Sequence, residues 1–221
     1  MTEPHYSLAL LYDPFCGWCY GATPGLMALA GRPDVQLGLM PTGLFAFEEG
    51  RPMTADFAAY AWSNDQRISV LTGQVFSAAY RQKVLEAPEG MFDSGPVTLA
   101  LTAVALEDPA AELPLLKAFQ QARYVEGLDT AKPEIVEAVL RRNDQNAAAD
   151  RYAGDDEALK LAARQRLDQG QRLQRAVGAK GVPSLILQSS DGLRLINAGR
   201  LYGPIEALMA ALVDSQSSET V

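Results

Sequence analysis

The apolar positions of this chain keep one spacing at both ends and another in the middle. Residues 6–12 (Tyr-Ser-Leu-Ala-Leu-Leu-Tyr) form a mostly apolar run, which reads as a buried strand of a parallel or mixed sheet. Asp13-Pro14 breaks it. Residues 16–30 carry a helical pattern with Leu26, Leu29 and Ala30 turned inward. Pro24 should kink this helix and Gly31 should end it. Residues 35–40 begin with period-two alternation and read as a second strand. Strand, helix and strand within about 35 residues make a right-handed parallel unit.

From residue 52 to 177 the strand signal fades. Helical stretches replace it at 54–71, 74–86, 96–107, 114–126, 133–142 and 156–177. Pro96, Pro114 and Pro133 stand near first turns, where a missing N–H costs nothing. In the last stretch Leu159, Ala163, Leu167, Gly170, Leu173 and Val177 share one stripe. A small helical bundle over one side of the sheet is expected. Residues 178–181 end that helix. Residues 182–187 run from a loop into a strand, Asp191-Gly192 marks a hairpin turn, 193–198 is the partner strand, and 204–213 is a closing helix. The expected fold is α/β, with residues 1–45 and 178–221 forming one sheet-bearing domain and 46–177 a helical insertion. There is no fixed-period repeat, and the only low-complexity segment is the polar tail 214–221.

Composition narrows the function. The chain has 221 residues, 48% of them apolar, enough for a full core. A formal charge of −8 argues against nucleic acid or an anionic membrane as partner. No segment approaches the roughly 20 apolar residues that span a bilayer. The first six residues lack a basic region, and the Leu8–Leu11 run is too short for a secretory signal, so the cytoplasm is the expected location. No phosphate-binding glycine motif occurs, and Arg141-Arg142 read as part of a solvated face.

Both cysteines lie in Asp13-Pro14-Phe15-Cys16-Gly17-Trp18-Cys19-Tyr20. At this spacing, on the first turn of a helix, they can close a small disulfide ring and reopen it. Unpaired N–H groups and the helix dipole favour negative charge at Cys16, the outer, attacking thiol. Cys19, one turn inward, is the resolving thiol. Two thiolates are also half of a zinc site, but the chain offers no further Cys and only His5, ahead of the strand, so no metal is expected. Trp18 reads as a contact surface for apolar substrate segments, and Gly17 as a place where a partner backbone approaches closely. Asp13 has two readings: a turn residue before Pro14, or a group that moves the proton of Cys19. Tyr12 and Tyr20 read as packing residues.

Strand, Cys-x-x-Cys, helix resembles the thioredoxin superfamily. The longer string 13–20 with a large helical insertion resembles its DsbA-like branch, in particular the cytoplasmic disulfide-isomerase members. The order of elements matches over most of the chain; the motifs match at 13–20 and at 181–184 (Gly-Val-Pro-Ser). The resemblance implies a thioredoxin-like fold with an all-helical insertion. It implies a cis peptide bond before Pro183, facing the cysteines, with the backbone of Val182 open to pair with an extended substrate. Two departures stand out. Gly17-Trp18 replaces the Pro-His of DsbA, so no imidazolium stabilises the attacking sulfur and a less oxidising disulfide is expected. Leu10 stands where thioredoxins carry a buried acid.

The expected activity is thiol–disulfide exchange, as an oxidoreductase or isomerase acting on protein or small-thiol disulfides. An unidentified redox partner would recycle it. No cofactor is expected, with glutathione the one candidate co-substrate. Two alternatives stay open: a glutathione-dependent isomerase or transferase of the kappa-class type, whose members carry Ser at the position of Cys16, and a non-catalytic holdase using an apolar cleft.

Overall fold

The computed structural model describes residues 6–154 and 156–217, the last five by backbone alone. His5 and residues 218–221 of the polar tail lie outside the described residues. Strands β1 (Tyr6–Tyr12), β2 (Val35–Pro41), β5 (Ser184–Ser189) and β6 (Gly192–Ile196) form one sheet in the order β2-β1-β5-β6. β1 runs parallel to β2 and antiparallel to β5, and β5 to β6 is an antiparallel hairpin. This is the mixed four-stranded sheet the apolar runs imply. A two-residue ribbon, β3 (Arg51–Pro52) with β4 (Met91–Phe92), had no signal in the sequence.

Helix α1 (Gly17–Ala30) crosses from β1 to β2 and buries Ala22, Leu26 and Leu29. Ala30 is exposed, contrary to expectation, because the buried stripe has turned past it. Gly31 closes the helix at φ −73°, so its glycine freedom is not used. α1 continues through Pro24, whose missing N–H leaves the Tyr20 carbonyl without its helical donor. The Gln74 side-chain amide donates to that carbonyl at 2.9 Å, tying α1 to the insertion.

Between β2 and β5 come α2 (Ala55–Thr72), the short α3 (Ala78–Tyr80), α4 (Gly95–Glu107), α5 (Glu112–Gln120), α6 (Pro133–Arg142), α7 (Asn146–Ala153) and α8 (Glu157–Ala176). α9 (Ile205–Ser217) closes the fold. The sequence pattern missed α7, an Ala-rich helix of eight residues whose buried positions are Ala148 and Ala149. α3 and α5 each end in a π-helical turn, Arg81–Leu85 and Gln121–Val125.

The helices are not stacked on one side of the sheet. Leu173 and Val177 at the end of α8 pack on Ala9, Leu11 and Ile186, one face of the sheet. Leu8, Leu10, Leu185 and Leu187 point to the other face, where one buried cluster joins them to α1, α4, α5 and α6. The strands alternate because successive side chains leave opposite faces, so each face needs its own cover.

Gly170 lets α8 meet β2: a Cβ there would collide with the Pro41 carbonyl. Gly170→Ala adds up to about 1 kcal/mol of helix propensity but must push α8 off the strand. A net loss of about 1–3 kcal/mol is expected, read as a lower urea midpoint with an unchanged slope.

Candidate active site

β1 delivers the chain into the first turn of α1, and Cys16 caps that turn with extended backbone (φ −74°, ψ 112°). Both cysteines are free thiols. Cys16 is 7% exposed and Cys19 1% exposed. The Cys16 thiol donates to the Val182 carbonyl at 3.5 Å. The Val182–Pro183 peptide bond is cis, as the resemblance implies. The β5 end of the sheet thus brings residues 166 positions away onto the outer sulfur.

Burial pushes the Cys19 thiol well up from its ordinary value. The adjacent Cys16 thiol and the Asp13 carboxylate add to this, against a backbone hydrogen bond from Asp13. The inner sulfur therefore holds its proton while the outer one is open to the cleft.

Asp13 is fully buried. Its carboxylate accepts from the Phe15 N–H (2.9 Å), the Phe45 N–H (3.0 Å) and the Ser94 hydroxyl (2.9 Å). Burial nonetheless pushes it up to about 6, the three hydrogen bonds opposing.

Cys16, Gly17, Trp18 and Val182 line one cleft of about 460 Å³, together with Phe45, Arg51, Phe57, Asp65, Tyr80, Phe92 and Lys180. Cys19, Asp13 and Pro183 are buried behind it. Trp18 is half-buried; its ring rests on Tyr202, centroids 5.7 Å apart, and its carbonyl accepts from the Tyr202 hydroxyl. What comes close to Gly17 is helix α2: a Cβ at this position would lie 2.6 Å from Asp65 Oδ1 and 3.0 Å from Ile68 Cδ1. The Arg51 guanidinium lies over the Phe45 and Phe57 rings, 5.7 and 5.4 Å from their centroids.

The π turn ending α5 supports the site from below. Tyr124 donates to the Phe15 carbonyl at 2.8 Å and stacks on Tyr20 at 4.7 Å. Arg123 is 1% exposed, with its guanidinium 3.7 Å from the Phe15 ring centroid. Its three side-chain nitrogens have no hydrogen-bond partner among the described residues, and its ion pair with Asp129 spans 3.8 Å. Cation–π attraction to Phe15 and Phe92 offsets part of the cost of burying this charge.

Sequence reasoning missed the insertion's share of the cleft. One signal was available. The buried residues of α2 are Ala58, Asp65 and Ile68, so an acid sits on the apolar stripe. Burial pushes Asp65 up to about 7, against a hydrogen bond from the Tyr80 hydroxyl (3.1 Å to Oδ2) and the charge of Arg123.

No protein-family model and no curated protein matches this sequence. Solved structures do. The cytosolic disulfide reductase DsbM from Pseudomonas aeruginosa is 28% identical, with a TM-score of 0.83 over 96% of this chain and 98% of that one. Its structure with GSH matches at 29% identity and a TM-score of 0.81, over 96% and 99% of the two chains. A candidate protein disulfide isomerase from Nitrosomonas europaea shares the fold, at 24% identity and a TM-score of 0.78, over 97% and 98%. Fold and dithiol centre make the chain a thioredoxin-superfamily protein of the DsbA-like branch. Within it, the chain is a thiol–disulfide oxidoreductase. No helix among the described residues is long and apolar enough to cross a membrane.

The carboxyl of Asp65 gives a pH test. The folded state keeps its proton up to about 7, whereas the unfolded chain releases it near the ordinary value of about 4. The neutral acid therefore favours the folded state below about pH 4, and this contribution is lost as pH rises through about 7. The stability of the wild type relative to Asp65→Asn should fall across that window in urea titrations. A pH-independent difference would contradict the assignment.

Proposed function

We propose that this protein is a cytoplasmic disulfide reductase or isomerase that exchanges its Cys16–Cys19 dithiol with small-thiol disulfides of the glutathione type and with protein disulfides. The observation that carries the reading is the outer thiol at the mouth of a helix, 3.5 Å from the Val182 carbonyl and open to a cleft. The likeness to a cytosolic reductase solved with GSH supports both location and small-thiol partner.

The reaction follows from the difference between the sulfurs. Cys16 attacks one sulfur of the substrate disulfide, whose other sulfur leaves and takes a proton. A mixed disulfide to Cys16 remains. Cys19, 1% exposed, is shielded from other disulfides and meets only the one on Cys16. It gives its proton to Asp13 and attacks the Cys16 sulfur. The bond from Cys16 to the substrate sulfur breaks, that sulfur leaves and takes a proton from solvent, and Asp13 returns its proton to solvent. The backbone of Val182 beside Pro183 holds an extended substrate, and Trp18 covers its apolar side. Gly17 keeps the loop thin enough for α2 to wall the cleft. Two thiols supply the electrons, so no metal or organic cofactor is required. A further thiol system restores the dithiol.

Cys16→Ser is expected to abolish reduction of oxidised glutathione and of an insulin disulfide. Cys19→Ser should accumulate a glutathionyl mixed disulfide on Cys16, seen by mass spectrometry. Asp13→Asn should slow its resolution about 100-fold, more than it slows the first step. Turnover of a glutathione-dependent isomerisation unchanged in Cys19→Ser would overturn this reading in favour of a kappa-class type. Aggregation suppression without either thiol, and no exchange in the wild type, would favour a holdase.

A further inference from the structure

Cys19 has Asp13 beside it, and that carboxylate is held on the inner side by Phe15, Phe45 and Ser94. The sulfur exchange in the cleft takes place on the other side of the Cys16–Cys19 loop. The acid on that side is Asp65. It is 5% exposed, yet it lines the same cleft as Cys16 and Gly17. Its Oδ2 is fixed by the Tyr80 hydroxyl at 3.1 Å. Its Oδ1 lies against Gly17, the residue next to Cys16, 2.6 Å from where a Cβ would be. Gly17 is thus the residue that allows the insertion to bring a carboxyl group onto the redox loop.

We propose that Asp65 is the acid–base group on the substrate side of the dithiol, acting on Cys16 and the departing substrate sulfur. The proposal rests on the exchange reaction given above. Asp65 Oδ1 takes the proton of the Cys16 thiol. The Cys16 sulfur bonds to the nearer sulfur of the substrate disulfide, and the S–S bond breaks. The electron pair leaves with the farther sulfur, which takes the proton back from Asp65. A mixed disulfide and one free thiol result, the carboxylate is regenerated, and no other oxidant or reductant is consumed.

The groups facing Asp65 come from three elements. Tyr80 approaches from α3, Arg123 and Tyr124 from the π turn that ends α5, and Cys16 from the start of α1. Arg51 and Lys180 line the cleft as well. Arg123 and the Tyr80 hydrogen bond favour the carboxylate, and burial opposes them more strongly, which leaves the group near neutrality. A group of that strength can both accept and return a proton at neutral pH.

The test is the rate of mixed-disulfide formation between the reduced full-length protein and oxidised glutathione, followed from about pH 5.5 to 8.5. In the wild type one inflection should lie near 7. Asp65→Asn keeps the shape and can still accept from Tyr80; it should remove that inflection and lower the rate at neutral pH by about 100-fold. Tyr80→Phe removes a hydrogen bond that favours the carboxylate, so it should move the inflection to higher pH. This second variant keeps the test open if Asp65→Asn folds poorly. A profile for either variant that only scales the wild-type curve would overturn the proposal while leaving disulfide exchange intact. A wild type that reacts with neither oxidised glutathione nor insulin would instead remove the exchange reading on which it stands.

Discussion

The carboxylate of Asp13 is the tie on which the site depends. It accepts from the residue before Cys16, from the loop after β2, and from Ser94 just ahead of α4. Three segments distant in sequence converge on one buried acid. Each such hydrogen bond to a charged group is worth about 1.5–3 kcal/mol, and the charge must be desolvated to receive them. That opposition keeps the group near neutrality rather than strongly acidic. An anchor of this kind fixes where the first turn of α1 begins, and with it the direction in which the Cys16 sulfur points.

The insertion contributes more than a cover. α2 presses Asp65 and Ile68 onto Gly17, and the π turn of α5 slides Arg123 and Tyr124 beneath Phe15. A π turn adds a residue without ending the helix and re-aims the side chains that follow. The outcome is a dithiol with carboxyl groups on both sides and a buried cation under the residue before it. Gln74 repairs the carbonyl that Pro24 leaves unpaired, so a side-chain-to-backbone hydrogen bond joins α1 to the insertion as well as packing.

How much of this was legible can be argued from individual residues. β1 was legible to the residue because a strand covered on both faces is apolar at nearly every position. The Cys-x-x-Cys pair at the start of α1 and the cis bond before Pro183 were legible because local strings carry them. Asp13 was visible as a residue but not as a three-donor anchor, since two of its partners, Phe45 and Ser94, are 32 and 81 positions away. α7 was missed because its buried positions, Ala148 and Ala149, are too small to mark an apolar stripe.

By itself the sequence determined the order of elements, the buried strands and the dithiol on a helix start. These are local properties of hydrophobic period, turn residues and cysteine spacing. Only the tertiary structure decided which insertion side chains line the cleft, that α8 covers one face of the sheet while α1 shares the other, and that Asp65 meets Gly17. The physical reason is that a carboxyl group's surroundings, and hence the strength of its proton, come from chain segments that contact it only after folding.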